Sequence, residues 1–366
     1  MKKKGQLDFY FLVAVFALLA FGLIMVMSAS SEWARNASYT GGDAYYFIKR
    51  QLLWAVIAVC AMVFFANFDY HNLIKWSGII MIIAIVMLLL VIAVGQEVNG
   101  GQRWLRLGPV QFQPSEAAKV ALILYLASAI TKNKKYIHTF SRGLLPNLMV
   151  IGILALLLML QPHFSATILI VGVGLIMLFV GGVNWKHLAA LAVPVVAAGF
   201  ALVMSSEYRR ARVFSFLDPF ADPLGDGYQV IQSLYAIGSG GLFGLGLGQS
   251  RQKFSYIPEP QNDFIFSILC EETGFVGALT VILVFVFLIY RGVKIAMCAK
   301  DKEGALIAIG IISLIALQVI MNIAVVTSAM PVTGIPLPFF SYGGTALVII
   351  MSCMGIMLNI SRQSGK

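Results

Sequence analysis

Charged side chains are what this sequence most lacks. Only 11% of its 366 residues are Asp, Glu, Lys or Arg, whereas 60% are hydrophobic. Soluble domains carry roughly 25% charged residues. A water-soluble globular fold is therefore excluded, and the chain reads as a polytopic membrane protein. Cysteine is scarce too. Cys60, Cys270, Cys298 and Cys353 lie within or beside apolar stretches with no CxxC spacing, which argues against disulfides and thiolate metal sites. The chain has no HExxH, and "GSGGLFGLGLG" lacks the GK[ST] of a phosphate-binding loop and does not fit GxGxxG. No convincing serine triad and no repeat of fixed period is visible. The net charge of +10 would suggest nucleic acid as a partner for a soluble protein. In a membrane chain it reads as a topological signal instead, and no nucleic-acid partner is expected.

What the sequence does have is long apolar runs. A membrane-crossing helix needs about 20 apolar residues. Ten stretches are candidates: 9–28, 50–66, 73–95, 115–131, 144–160, 164–183, 186–204, 263–291, 304–329 and 343–361. The expected fold is an all-α polytopic membrane protein of ten transmembrane helices. It forms a single domain over 1–366, with a large extracellular loop at about 205–262 between helices 7 and 8. The first run is too long for a typical signal-peptide core and reads as an uncleaved helix. Lys2, Lys3, Lys4, Lys132, Lys134, Lys135, Arg291 and Lys294 all fall in one set of tails and connections, which is thereby assigned to the cytoplasm with both termini. The segments 96–114, 205–262 and 330–342 then face outward. Within the long one, "YQVIQSLYAIG" has apolar residues at helical spacing and predicts a short interfacial helix.

Four places could carry chemistry. Asp263 stands where water ends and the apolar run to Tyr290 begins. It can be a helix N-cap, but Arg251, Lys253 and a stiff Pro-Glu-Pro approach accompany it, which a cap does not need. Glu116 and Lys119 lie three apart and so share a helix face. Ionisable groups inside a membrane segment are costly and point to function, although an ion pair fixing helix register would look the same. Arg103 and Arg106 sit just before them in a loop punctuated by Gly and Pro. His163 occupies a very short link, "QPHFSAT", where it is either a wet turn residue or part of a site. Finally, "PVTGIPLPFFSYGGTA" (331–346) reads as a broken or re-entrant segment, tolerated only where protein or a cavity surrounds it.

Three long stretches, "GGQRWLRLGPVQFQPSEAAK", "GLGLGQSRQKFSYIPEPQNDFIF" and "TGIPLPFFSYGGTAL", occur in this order and resemble the SEDS family (shape, elongation, division and sporulation). The similarity runs from the first helix to about Arg362 and is stronger to the FtsW and SpoVE branch than to RodA. The resemblance implies a ten-helix peptidoglycan glycosyltransferase of the bacterial cytoplasmic membrane, acting in division or sporulation. Its substrates would be lipid II and the undecaprenyl-pyrophosphate-linked glycan. Its partners would be a class B penicillin-binding protein and other proteins of the division or sporulation complex. The family's essential acid falls on Asp263, as general base, and its Glu-and-Lys pair on Glu116 and Lys119. Arg103, Arg106, Lys119, Arg251 and Lys253 are candidates to stabilise a leaving pyrophosphate. Where the family has "QPDxGT", this chain has His163 and Ser165; "GEELG" has become "CEETG", which keeps Glu271 and Glu272. No cofactor is required by these motifs, though Glu259 and Asp263 could bind a divalent cation. Two other classes remain open: a flippase for lipid-linked precursors, and a non-catalytic scaffold for a penicillin-binding protein.

Overall fold

The structure is a computed structural model describing residues 5–98, 101–108, 110–205, 210, 216–225, 227–254 and 256–364. Helices dominate. In chain order they are α1 (Phe9–Asn36), α2 (Tyr46–Asn67), α3 (Tyr70–Lys75), α4 (Ser77–Val94), α5 (Pro114–Lys132), α6 (Leu145–Leu160), α7 (Phe164–Gly181), α8 (Trp185–Met204), α9 (Tyr228–Ser239), α10 (Ile265–Met297), α11 (Lys302–Val326) and α12 (Gly344–Gln363). Each of the ten expected intervals coincides with one long helix. Among the described residues, eight helices are long and apolar enough to cross a membrane. The other two of the ten are α8 and α5, and α5 carries the Glu116–Lys119 pair.

Helix α5 is enclosed by α4, α7 and α11 and buries most of its surface. That explains how charges sit in it: protein, not lipid, is its solvent. The α2–α12 pair is the most intimate contact in the bundle. A Cβ on Gly355 of α12 would lie 2.3 Å from the Met62 carbonyl oxygen, so the backbones approach as closely as small residues permit. The two chain ends meet. Gly5 N–H donates to the Arg362 carbonyl at 3.0 Å, and Asp8 N–H to the Ser361 hydroxyl at 2.9 Å.

One feature departs from the all-α expectation. The segment before α5 forms a small antiparallel meander, β1 (Gln96–Val98), β2 (Gly101–Leu107) and β3 (Val110–Phe112). Leu105 pairs with Phe112 and Leu107 with Val110 around Gly108, whose φ of +64° suits a tight turn. From the sequence this stretch reads as a loop punctuated by Gly and Pro.

Helix α9 is the short helix expected in the long outer connection. It does not lie alone at the interface but packs on α10 and α11, burying Val230, Ile231 and Ala236. Residues 206–209, 211–215, 226 and 255 of that connection, and the terminal lysines 2–4 and 366, lie outside the described residues.

Segment 331–343 is irregular, as expected of a broken segment, and is buried at Ile335, Leu337, Phe339 and Phe340. It reaches deep into the bundle. Phe340 meets Phe21 of α1 edge-on at 6.0 Å and Phe285 of α10 at 5.9 Å.

Candidate functional site around Asp263

Helix α10 is not continuous. Gly274 has φ 67° and ψ −169°, which breaks the helix after its first turns. A break orphans backbone groups on both sides, and these need partners in a nonpolar surround. The loop after α9 supplies them: Leu245 and Gly246 N–H donate to the carbonyls of Glu271 and Glu272, while Phe275 and Val276 N–H donate to those of Gly241 and Leu242. The short first part of α10, beginning at Ile265, is thereby held as a separate piece with Asp263 just before it.

Asp263 is half-buried. It does not occupy the N-cap position of α10, which is Phe264 and has no side-chain cap. Its backbone is pinned instead. The amide nitrogen of Asn322, buried on α11, donates to the Asp263 carbonyl at 2.8 Å and to the Ile335 carbonyl at 2.7 Å. Ser341 Oγ donates to the Asn262 carbonyl, and Tyr342 N–H to that of Gln261, both at 2.8 Å. The approach to Asp263 is thus stitched to the re-entrant segment. Glu259, between its two prolines, adopts φ 47°, and its carboxylate accepts from the Asn262 amide at 2.8 Å. Gly334 faces the Asp263 carboxylate: its φ is +65°, and a Cβ there would lie 3.1 Å from Oδ2. Conformation and space both call for glycine.

The same segment leads to His163. The Thr333 carbonyl accepts from Ser165 Oγ in the first turn of α7, two residues from His163. His163 is buried. Burial, followed by the charges of Arg103 and Lys119, pushes its imidazole down to about 3, so it is neutral at ordinary pH. Arg103 donates to the Pro162 carbonyl at 2.6 Å. Lys119 and Glu116 form a buried ion pair at 2.7 Å. The link between α6 and α7 therefore gathers Arg103 and Lys119 beside a neutral ring. His163 Nδ1 and Thr333 Oγ1 are buried with no partner among the described residues, as are Asn322 Oδ1, on the residue that pins Asp263, and Ser115 Oγ, next to Glu116 in the chain. Unpaired buried polar atoms are costly, about 1–3 kcal/mol each, and can serve a polar ligand.

The remaining sequence candidates lie apart from this group. Arg106 is exposed on the meander and donates to the Gly108 carbonyl at 3.3 Å. Arg251 is exposed on a turn clamped from below. Glu271 accepts from the N–H groups of Arg251 and Gln252 and from Ser250 Oγ. Glu272 accepts from Ser28 of α1 at 2.6 Å and from Ser250 N–H at 3.3 Å. Lys253 belongs to this clamp: it is buried, donates to the Gly248 carbonyl and lies 3.5 Å from Glu272. Its charge is spent within the fold. Sequence reasoning noticed the two glutamates but gave them no role, and it passed over Asn322. The available signal was the same in both cases, a polar residue inside an apolar run. Among the described residues no group of three or more His, Cys, Asp or Glu side chains converges as metal ligands.

Comparisons with known proteins place the chain in a family. Residues 9–366 match the cell cycle protein family that comprises FtsW, RodA and SpoVE. Stage V sporulation protein E of Bacillus subtilis (strain 168) is 46% identical over 364 residues, 99% of each chain. A probable peptidoglycan glycosyltransferase FtsW of Trichlorobacter lovleyi is 41% identical, covering 98% of this chain and 93% of its own. A chain from a solved peptidoglycan synthase complex, described as coordinating polymerization and crosslinking, aligns with a TM-score of 0.80 at 28% identity, over 98% of both chains. The crystal structure of the Thermus thermophilus rod shape determining protein RodA aligns with a TM-score of 0.72 at 26% identity, over 99% of this chain and 98% of that one. The chain therefore belongs to the FtsW, RodA and SpoVE family of multi-pass membrane proteins.

Proposed function

We propose that this protein is a peptidoglycan glycosyltransferase that polymerises lipid II at the outer face of the cytoplasmic membrane, with Asp263 as general base. The observation that carries the reading is a half-buried carboxylate pinned by its backbone at the mouth of α10, with Gly334 leaving room beside it. Lipid-linked sugars have head groups in water and tails in lipid, so their chemistry belongs at such an interface. In the step proposed, the attacking sugar hydroxyl gives its proton to Asp263. Its oxygen bonds to the donor's anomeric carbon, and the bond to the pyrophosphate oxygen breaks, with inversion and a β-1,4 linkage. General-base help of this kind is worth about 10²–10⁴-fold. The leaving pyrophosphate needs positive charge rather than a proton. Arg103, beside the neutral His163, is the best-placed candidate, with Lys119 behind it already paired with Glu116, and the exposed Arg106 and Arg251 can approach from the rim. Lys253 serves by holding the turn that carries Arg251.

The proposed topology keeps ten spans in a single membrane domain, both termini cytoplasmic and Asp263 outside. The proposed partner is a class B penicillin-binding protein, and the process is division or sporulation. Purified protein with its partner and lipid II, scored for both polymer and translocation, tests the assignment. Polymer lost in Asp263→Asn supports it. Translocation without polymer would turn the reading to a flippase, and neither activity to a scaffold.

A further inference from the structure

The bundle has a second polar feature, at the opposite end from Asp263. Beyond its break at Gly274, helix α10 runs on to Met297; at 1.5 Å per residue that part alone is roughly 35 Å. There the ends of α1, α2, α10 and α12 enclose a cavity of about 980 Å³. Arg291, Lys294, Lys300 and Arg362 line it, against two carboxylates, Asp8 and Asp69.

Those carboxylates are already engaged. Asp8 takes a two-pronged contact from Arg291, at 2.6 and 3.2 Å, and caps α1 through Phe11 N–H. Asp69 accepts from His71 and from the Gln363 amide. Arg362 donates to the neutral Asn67 amide oxygen at 2.8 Å, which leaves its charge uncompensated. Lys294 and Lys300 have no ion-pair or hydrogen-bond partner for their ammonium groups among the described residues. The walls, by contrast, are tied together: Asn359 of α12 donates to the Ala66 carbonyl of α2, and Gly5 to Arg362. A braced cavity with surplus cations is built to hold an anion. At its rim the apolar Phe9 and the amphipathic Tyr10 are exposed, and Tyr is a residue enriched at membrane surfaces.

We propose that this cavity binds the phosphate of an anionic phospholipid headgroup, with Lys294 and Lys300 as its principal contacts and Arg362 beside them. A topological excess of lysine needs neither a cavity nor cross-linked walls. Basic pockets between membrane helices are suited to anionic headgroups. The apolar rim gives the acyl chains a way out to the bilayer, which free phosphate would not need. The site is independent of the chemistry at Asp263.

The test uses the full-length protein in nanodiscs and detergent. Binding of phosphatidylglycerol, phosphatidylcholine and inorganic phosphate is compared by native mass spectrometry and titration. The variants are Lys294→Gln/Lys300→Gln and a control, Lys134→Gln/Lys135→Gln, which removes equal charge from exposed positions in another connection. At about fivefold per cation, the cavity variant should lose phosphatidylglycerol affinity about 25-fold, while the control changes little. Inorganic phosphate should compete only weakly. Equal loss in both variants, or equal retention of phosphatidylcholine, overturns the proposal. Tight inorganic phosphate binding without preference for phosphatidylglycerol overturns the lipid as its source.

Discussion

Under the proposed function a single carboxylate carries the reaction, and substitutions at Asp263 separate charge from shape. Asn keeps the size of Asp and cannot accept the proton. Because the Asp263 backbone carbonyl is fixed by Asn322, and Asn keeps the size and one carbonyl acceptor of Asp, Asp263→Asn should still fold, with a melting temperature close to that of the wild type. Its lipid II polymerisation should fall by at least about 10²-fold. Glu keeps the charge but moves it by about one methylene from the position beside Gly334, and should also be poor. Glycan-length profiles and thermal melts of both variants check this; an active Asn variant would remove the general base. His163 gives a second residue-scale test. A carboxylate at this position would face Arg103 and Lys119, the charges that now help hold the imidazole neutral. His163→Asp should therefore retain or raise activity without lowering protein levels. A severe loss at normal levels would mean that the neutral ring has a task of its own.

At the scale of elements, the break in α10 is the feature to probe. Gly274 occupies a backbone region that is essentially glycine-only, where another residue costs about 1–3 kcal/mol in strain. A Cβ there would also lie 2.3 Å from the Gly244 nitrogen. Gly274→Ala should lower stability by about 3 kcal/mol or more, combining strain with that clash. It should also release the 241–246 loop, seen as faster hydrogen exchange at Leu245 and Gly246. Normal protection of those amides would show that the loop does not depend on the break. On the opposite face, α3 meets the start of α11 through His71, which contacts Asp69 at 2.6 Å and Asp301 at 3.0 Å. Burial pulls the His71 pKa down, but the hydrogen bonds and charges of the two carboxylates outweigh it, and the net shift is upward from 6.5. A raised folded value means that this stabilisation is complete below pH 6.5 and is lost as pH rises through the folded pKa. Asp69 and Asp301 are shifted down despite burial, so their share is present above 3.8 and lost as pH falls through their folded values. Melting temperature should thus decline above pH 6.5, and His71→Gln should flatten that slope. An unchanged slope would assign it to other groups.

For the whole molecule, a protein that extends glycan without cross-linking it needs a transpeptidase at its outer face. The alignment with a chain of a solved peptidoglycan synthase complex extends over 98% of this chain. Co-purification from native membranes should recover a class B penicillin-binding protein in about equimolar amount. Repeated recovery of the chain alone, in mild detergent, would count against a stable complex. Long apolar faces left exposed on α2, α4 and α10, such as Leu53, Ile82 and Leu283, are available for lipid or a partner's membrane helix.

Much of this architecture could be read directly from the residues. Apolar length marks where helices lie, because a backbone in hydrocarbon must satisfy its own hydrogen bonds and helices do so locally. Motif order marked Asp263, Glu116 and Lys119 as residues to watch, and Pro and Gly density marked 331–346 as broken, of which Gly344 onward proved to be helix. Other features depended on contacts between distant segments. The sequence could not show that Lys253 is buried on Glu272, because the two are 19 positions apart and only the fold brings the turn carrying Lys253 back against α10. Nor could it show that Asn322 holds Asp263 and Ile335 at once, or that His163 sits beside Arg103 and Lys119. The meander at 96–112 was hidden for a similar reason, since strands gain their hydrogen bonds from partners rather than from themselves. Local propensity and hydrophobic length act within a few residues and are written along the chain. Charge pairing, burial of a ring and the pinning of a carboxylate act through space, and only the folded bundle brings those atoms together.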